Sequence, residues 1–596
     1  MRVTESDRAP VVETSSYRLA VVAGKPVAWL DDAAGERWAE LRVLASLDTL
    51  EGLDETTAMS GPTIEVGEAE CVLTWRLNST LWRSKTLSLV CREATIDVRV
   101  RVEGRGRLTD IELLGGAATM PPAATGHFRS GAWFSTVMSP NPGDPARILT
   151  SAMESSTIGV TGGSEPGRGH WFFTPAPFCY AVTHAAAAGT DAPAAAPAAA
   201  WLTFGLAATD EALGFTSFDY TAADRGFSFV LSYEGHTPVG GAFDAPPIVI
   251  VFGAADAYDA IERHRRELVD RGLAPPAAAP TTPRWWLEPM FCGWGAQCHL
   301  ARAAGQTLAS AASYSREEHY DAFLAALESN GVVPGTVVVD DKWQADYGTG
   351  EPDRDKWPDL RGWIARRHDA GQRVLLWWKA WDGGSLPADM WVRTATGSAV
   401  ALDPDHPGAR AAIAQAIDMM LAEDRLGADG LKIDFTARTP SGSSLRHHGP
   451  HWGVGLLREL LAVVHDAAKR VKPDALLIGH TPNPAVDPFV DMIRLNDMLR
   501  LDDPNPIARI GPQMRHRAAI ARAASPNHPI DTDDWCVPDL ASWREYTAVK
   551  PGLGVPALYY ATHVDLTGEP FGPRDYELLR DTWAAHRRTV GLPQRR

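Results

Sequence analysis

The sequence has few cysteines and no long hydrophobic run. Its 596 residues include six cysteines, and none of them forms a CxxC pair. Thiols this sparse predict a reduced chain, with a Cys71–Cys91 disulfide across neighbouring strands as the alternative. No run of about 20 apolar residues is present to span a bilayer. No apolar segment follows the first eight residues, so we expect no secretory signal and a cytoplasmic location.

Positive charge is also in short supply. Fifty-seven Lys and Arg residues face 74 Asp and Glu residues, which gives a formal net charge of −17. Such an excess repels nucleic acid and anionic membranes, and neither is expected as a partner. Tryptophan is abundant, with 21 residues. Indole faces pack against the apolar C–H faces of sugar rings, so this composition favours a carbohydrate ligand, with a large core as the alternative.

Patterns typical of β-strands dominate the first 255 residues. Apolar and polar residues alternate over 70–77 and 94–102, and helical periodicity is scarce. We therefore predict an antiparallel β-sandwich domain over residues 1–255, with the Ala/Pro-rich stretch 185–200 as a surface loop. A helical pattern over 257–271 and a Pro/Ala-rich stretch ending at residue 283 predict a helix and stiff linker over 256–283.

Short apolar strands alternate with amphipathic helices in the remainder of the chain. The strand patterns lie near 287–292, 336–340, 373–378, 430–435, 476–479, 492–495, 529–531 and 555–560. Helical patterns separate most of them, with the weakest between the fifth and the sixth. We predict a catalytic (β/α)8 TIM barrel over residues 284–596 and a multidomain chain of the β plus α/β class.

The fourth of these strands carries the clearest candidate for chemistry. Lys432 and Asp434 lie on the same side of the strand by period-two alternation, close to its carboxyl end. Active sites of parallel barrels lie at that end. A carboxylate beside an ammonium stays ionised, as a nucleophile or electrostatic stabiliser requires. The alternative is an acid that only caps a loop.

Asp497 follows the sixth strand and is the natural partner of Asp434 across the barrel mouth. Two carboxylates about 5–5.5 Å apart are the apparatus of a retaining glycosidase. Asp502 is a second candidate for the acid/base. A salt bridge from Asp497 to Arg494 or Arg500 is the structural alternative.

Other polar and aromatic residues at strand ends are candidate substrate-binding residues. The alternatives are loop caps for the acids and plain core packing for some of the tryptophans. The full candidate set is Asp340, Asp341, Lys342, Trp343, Trp294, Trp377, Lys379, Lys432, Arg494 and Asp534.

The histidines do not form a recognisable metal motif. His447 and His451 have HxxxH spacing, but Gly449-Pro450 between them disfavours a continuous helix. The sequence has no HExxH motif, no phosphate-binding glycine loop and no GxSxG serine elbow. We therefore predict neither a metal nor a cofactor.

Several motifs in order resemble glycoside hydrolase clan D, family 36, the α-galactosidases and raffinose synthases. Residues 340–344 (DDKWQ) are similar to the family's DDGWQ, residues 432–434 (KID) to its Lys-x-Asp, and residues 493–497 (IRLND) to its segment carrying the acid/base. The resemblance spans roughly residues 284–560. It implies Asp434 as nucleophile and Asp497 as acid/base, and a large β-sandwich before the barrel is also the family's arrangement.

Three positions depart from the family pattern. Lys342 replaces a glycine, Asn496 a serine and Thr436 an asparagine. Family 31 shares the Lys-x-Asp-Phe setting and is the close rival, so an α-glucosidase-like enzyme is an alternative to an α-galactosidase-like one. The same residues are also compatible with a transglycosylating enzyme, a catalytically silent carbohydrate-binding protein or a metal-dependent barrel hydrolase. Family analogy also suggests a homo-oligomer.

Overall fold

The first part of the chain is built from β-strands. The computed structural model describes residues 1–6, 9–120, 124–132, 134–140, 155–161, 173–184, 201–277, 282–498 and 510–595. Strands β1 to β19 are Arg2–Ser6, Ala9–Glu13, Tyr17–Val21, Val27–Asp32, Arg37–Arg42, Ala45–Thr49, Glu55–Val66, Cys71–Ser79, Ser84–Cys91, Thr95–Leu113, Gly115–Met120, Ala124–Gly131, Thr136–Met138, Ser156–Gly159, Cys179–Thr183, Trp201–Leu206, Ser217–Ala223, Gly226–Asp244 and Ile248–Ala254. The predicted loop 185–200 lies outside the described residues.

Hydrogen bonds join these strands into one continuous and mainly antiparallel network. Strand β10 is central, because it pairs with β6, β9, β18 and β19. The predicted alternation is confirmed in β8, where every second side chain from Cys71 to Leu77 is buried. Cys71 lies opposite Cys91 in register, and both thiols are free.

Helix α1, Ala257–Asp270, connects this network to the second part of the chain. Asp256 caps it by accepting hydrogen bonds from the backbone N–H groups of Tyr258 and Asp259. One face contacts the β-network, since the His264 ring Nε2 lies 2.9 Å from the Leu206 carbonyl oxygen. On the other side, the Tyr258 hydroxyl lies 2.8 Å from Nδ1 of His516. The helix therefore packs against both parts.

The second part contains eight parallel strands interleaved with helices. Strands β20 to β29 are Met290–Cys292, Thr336–Val339, Arg373–Lys379, Trp391–Arg393, Ala399–Leu402, Gly430–Asp434, Leu476–Gly479, Met492–Arg494, Ile530–Asp531 and Ala557–Leu558, of which β23 and β24 form a separate hairpin. Helices α2 to α9 are Trp294–Ala303, Glu317–Ser329, Leu360–Asp369, Pro407–Leu421, Gly453–Val471, Ile510–Ala524, Leu540–Leu553 and Pro573–Thr589. In the part of the chain that the structure describes, no helix is long and apolar enough to cross a bilayer.

The parallel strands close into a barrel. Their order is β28, β27, β26, β25, β22, β21, β20, β29, and a parallel bridge from Asp531 to Val555 joins the two ends. The eight predicted strand positions are confirmed, each within a few residues of its predicted bounds. The carboxyl ends of these strands form one rim, where strand-end side chains meet.

The alternation of residues along strand β25 places its polar side chains on the side that faces the rim. Leu431 and Ile433 are completely buried, and they alternate with Lys432 and Asp434 on the opposite side. Gly430 begins the strand where the backbone of β26 approaches closely. A Cβ at this position would overlap the carbonyl oxygen of Leu476, so only glycine fits.

The barrel wall between β26 and β27 has no α-helix. Residues 480–491, all of them described, contain only the 3-10 turn Asp487–Phe489. The N-terminal part of the chain packs here. The backbone N–H of Thr174 donates to the His480 carbonyl oxygen at 3.0 Å, and Asn483 Nδ2 donates to the Ala176 carbonyl oxygen at 2.7 Å.

Candidate active site

Asp434 ends strand β25 and is held by three donors. Its Oδ1 accepts from Arg494 Nη2 at 3.0 Å and from the Phe435 backbone N–H at 2.9 Å. Its Oδ2 accepts from the Trp377 indole N–H at 3.1 Å. Burial acts to raise the pKa of Asp434, but the positive charges of Arg494 and Lys432 outweigh it and hold the pKa well below its ordinary range. The group is therefore ionised, while a quarter of its side chain (25%) remains exposed.

Arg494, at the end of β27, connects three carboxylates. Its guanidinium is buried and reaches Asp434 through Nη2 and both Asp533 and Asp497 through Nη1, the latter two at 2.8 and 3.4 Å. Arginine suits this position because its planar fork presents several donors in fixed directions. The salt bridge between Arg494 and Asp497, expected from the sequence as the alternative to a catalytic role, is present, and it coexists with the contact to Asp434.

Asp497 has the opposite protonation behaviour to Asp434. Burial raises the pKa of Asp497 to about 7 against the lowering effect of Arg494, and the negative charges of Asp533 and Asp434 contribute to the rise. About 30% of its side chain is exposed. One buried cation thus holds an ionised carboxylate and a second carboxyl group that carries a proton near neutral pH.

Lys432 is paired with Asp340 rather than with its strand neighbour Asp434. Its Nζ lies 2.7 Å from Asp340 Oδ2, which also accepts from the Cys292 thiol at 3.0 Å. Both charged side chains are buried, at 3% exposure each. Burial acts to lower the pKa of Lys432, but the Asp340 charge outweighs it and raises the pKa, so the ammonium is retained.

Asp341 and Lys342, which follow β21, lie around Tyr347. The Tyr347 hydroxyl donates to Asp341 Oδ1 at 2.8 Å, and the Lys342 Nζ stands 3.7 Å from the centre of the Tyr347 ring. Burial raises the pKa of Asp341 to about 6. Lys379, at the end of β22, contacts the same ring at 4.3 Å and forms an ion pair with Asp382.

The three candidate tryptophans have different surroundings. Trp377 is almost fully buried, and its indole N–H is bonded to Asp434. Trp343 is completely buried below it and donates to the Trp377 carbonyl oxygen at 2.9 Å. Trp294 is half-buried and packs edge to face against Trp535. Of the three, Trp294 therefore presents the most open surface.

Asp534 and Asp533 differ in what they contact. Asp534 is completely buried, where its Oδ2 lies 2.8 Å from Lys550 Nζ and its Oδ1 accepts from the Tyr559 backbone N–H. Asp533, which sequence reasoning did not select, is the acid that contacts Arg494. Strand alternation does not mark it, because β28 ends at Asp531 and Asp533 has a left-handed backbone with φ of 50°.

The histidines near the rim do not converge. The ring of His480 is buried against the Thr436 hydroxyl, and burial lowers its pKa to about 3, so it is neutral. His451 pairs with Asp405, whereas His447 packs against Trp452. In the described ranges, no group of three or more His, Cys, Asp or Glu side chains is arranged to hold a metal ion. Asp502 and Arg500 lie outside the described residues.

The fold is shared with solved structures of carbohydrate-active proteins. A family 31 sulfoquinovosidase from E. rectale, with an aza-sugar inhibitor, has a TM-score of 0.59 at 10% identity, covering 98% of this chain and 83% of that one. An α-galactosidase from Thermus thermophilus, with stachyose, has a TM-score of 0.50 at 16% identity, covering 88% and 99%.

A larger neighbour comes from Listeria monocytogenes EGD-e. This uncharacterized protein, solved with glucose, magnesium and calcium, has a TM-score of 0.54 at 11% identity. The match covers 99% of the present chain and 55% of that protein, so the chain spans about half of its length. The sequence matches no protein-family model and no curated protein. The similarity is therefore one of fold.

Proposed function

We propose that the chain is a retaining α-glycoside hydrolase acting on an oligosaccharide or simple glycoside. The observation that carries the proposal is the pair Asp434 and Asp497 on the single guanidinium of Arg494. One carboxylate is kept ionised, and the other has a pKa of about 7. A glycosidase that works through a glycosyl-enzyme needs this division between nucleophile and acid/base.

In the first step Asp434 attacks the anomeric carbon. Oδ2 is the better placed oxygen, because it accepts one hydrogen bond from the described residues, whereas Oδ1 accepts two. The bond from the anomeric carbon to the leaving oxygen breaks, and Asp497 gives that oxygen its proton. In the second step Asp497 takes a proton from water, whose oxygen displaces Asp434 from the anomeric carbon. Two inversions give net retention.

The identity of the sugar is a more specific part of the proposal. The sequence resemblance favours an α-galactoside, with an α-glucoside as the alternative, and transfer to a sugar acceptor uses the same two residues. The fold neighbours support an α-glycosidase in general, since they include an α-galactosidase and a family 31 sulfoquinovosidase.

The test is the initial rate on aryl α-galactoside, α-N-acetylgalactosaminide, α-glucoside and β-galactoside. Wild type is compared with Asp434→Ala and with Asp418→Ala, an exposed acid on α5 that serves as the matched control. We expect turnover of an α-glycoside that falls at least about 10³-fold in Asp434→Ala and is unchanged in Asp418→Ala. Equal activity of wild type and Asp434→Ala would remove the proposed mechanism.

A further inference from the structure

A group of cations surrounds two aromatic rings beside the nucleophile. Tyr347 and Phe435 both pack against Trp377, with ring centroids 5.9 and 6.0 Å away. The Trp377 indole N–H is the group that holds Asp434 Oδ2. Both rings therefore pack against the indole that contacts the nucleophile, and Phe435 also donates its backbone N–H to Asp434 Oδ1.

Three positive side chains lie on these two rings. Lys342 and Lys379 place their ammonium groups 3.7 and 4.3 Å from the centre of the Tyr347 ring. The Arg438 guanidinium lies 4.2 Å from the centre of the Phe435 ring. Aromatic faces hold cations in place through their negative quadrupole without neutralising the charge.

The acids of this region are already engaged. Asp382 is paired with Lys379 at 2.7 Å, and Asp341 accepts from the Tyr347 hydroxyl. Asp346 accepts backbone N–H groups, among them that of Gly348 at 2.8 Å. Within the described part of the chain, Lys342 and Arg438 form no ion pair within 4.0 Å of a carboxylate, although the charges of Lys379 and Lys342 both act to lower the pKa of Asp341.

Both cations that lack an ion pair in the described ranges are accessible. Lys342 is half-buried and Arg438 is exposed, so a ligand group can reach them. The chain as a whole carries a net charge of −17 and repels anions at long range. A cluster of three cations next to the nucleophile, two of them outside any ion pair among the described residues, is therefore a specific feature, and ammonium and guanidinium groups bind oxyanions by charge-assisted hydrogen bonds.

We propose that Lys342, Lys379 and Arg438 form a subsite for an anionic substituent of the sugar ring that Asp434 attacks. The substituent is an oxyanion: a carboxylate, sulfonate, sulfate or phosphate. This inference rests on the proposed glycosidase function and narrows its substrate class to acidic α-glycosides. Lys342, which stands where the resembling family has glycine, supplies the charge that a neutral sugar does not need.

The experiment compares matched pairs of aryl α-glycosides with the same leaving group. Each pair is a neutral gluco- or galactoside and its uronide, 6-sulfonate or 6-phosphate. At low salt we expect kcat/KM for one acidic member to exceed that of its neutral parent by about tenfold or more. The ratio of the acidic to the neutral kcat/KM is expected to fall to about threefold or less in Lys342→Met and in Arg438→Gln. Lys25→Met, which changes an exposed lysine in the N-terminal part of the chain, is the control and should keep the wild-type ratio.

The experiment distinguishes a failure of the subsite proposal from a failure of the glycosidase proposal. Turnover of neutral glycosides that depends on Asp434, with no acidic member preferred, leaves the glycosidase proposal intact and overturns the subsite. A ratio that survives both cation variants also overturns it, as does a preference that follows a charged leaving group instead of a charged sugar.

If no glycoside is turned over, a binding measurement tests the proposed subsite. Tryptophan fluorescence titration with glucuronate, galacturonate and glucose 6-phosphate, against glucose and galactose, measures the charge preference directly. Tighter binding of an acidic sugar that is lost in Lys342→Met supports the subsite, and equal affinity for acidic and neutral sugars overturns it.

Discussion

Arg494 Nη2 donates to Asp434 Oδ1 at 3.0 Å, and Asp434 owes its lowered pKa chiefly to this cation. The same side chain reaches Asp497 through its other terminal nitrogen. A single buried guanidinium thus favours the ionised form of both proposed catalytic groups, while burial raises the pKa of Asp497 against it. Because each carboxyl group is stabilised in its ionised form by Arg494, a change at this residue acts on both pKa values in the same direction.

Replacing Arg494 tests this relationship. Arg494→Met removes the charge, so the pKa values of Asp434 and Asp497 both rise and the alkaline limb of kcat/KM moves to higher pH. We expect kcat/KM to fall about 10²- to 10³-fold, since a preorganised charge is lost. Arg494→Lys keeps the positive charge but lacks the planar guanidinium, so its kcat/KM should lie between those of wild type and Arg494→Met. An alkaline limb at the wild-type position in a folded Arg494→Met protein contradicts the prediction.

The pH profile of the wild type depends on Asp497. Asp497 must be protonated to act as an acid, so kcat/KM should decline above its pKa of about 7. In Asp497→Asn we expect this limb to disappear and the rate on glycosides with poor leaving groups to fall about 10²-fold or more. Aryl glycosides with very acidic leaving groups should lose less in the first step. A uniform loss for all leaving groups would argue against an acid role.

Asp531 predicts a pH dependence of stability. Burial raises its pKa in the folded protein to about 7, with Asp533 adding to the rise, whereas an unfolded Asp titrates near 3.9. A raised folded-state pKa gives stability that is present below about pH 4 and is lost as pH rises through about 7. Asp531→Asn does not ionise, so its melting temperature should exceed that of wild type by about 2 °C or more at pH 8.

At pH 4 the two melting temperatures should be close, because Asp531 is then neutral in the folded protein and only about half ionised in the unfolded chain. The exposed Asp418→Asn serves as control and should match wild type at each pH. A lower melting temperature of Asp531→Asn at pH 8 would show that the ionised carboxylate is needed for the fold.

The buried pair Lys432–Asp340 predicts a strong coupling in stability. Lys432→Met leaves Asp340 buried without its cation and should lower the free energy of unfolding by about 3–5 kcal/mol. The double variant Lys432→Met, Asp340→Leu removes both charges and should recover much of that loss. Urea denaturation of Lys432→Met, Asp340→Leu and the double variant gives the coupling energy between the two side chains. Additive losses would contradict a direct pair.

Much of the fold was predictable because its signals are local. The eight barrel strands are short apolar runs between amphipathic helices, and strand alternation placed Lys432 and Asp434 on the inner side of β25. Asp434 and Arg494 were recognisable as strand-end residues, and the structure brings both to the same rim.

The contacts of the site were less predictable because they join residues distant in sequence. Lys432 interacts with Asp434 on its own strand and with Asp340 after β21, and only the tertiary arrangement shows that its ion pair is with Asp340. Asp533 contacts Arg494 from beyond the end of β28, which ends at Asp531. Its left-handed backbone, with φ of 50°, interrupts the strand alternation from which its direction could have been predicted. Tyr347 lies in a loop well beyond β21, where no periodicity marks it.

The helix-free wall between β26 and β27 has a consequence for the engineering of this chain. The backbone of Thr174 and the carbonyl of Ala176 meet residues 480–483 at the place where most other barrel strands are followed by a helix. A barrel excised on its own would expose this seam to solvent. Joining this barrel to a foreign N-terminal part therefore requires a partner that supplies the same backbone contacts along residues 480–483.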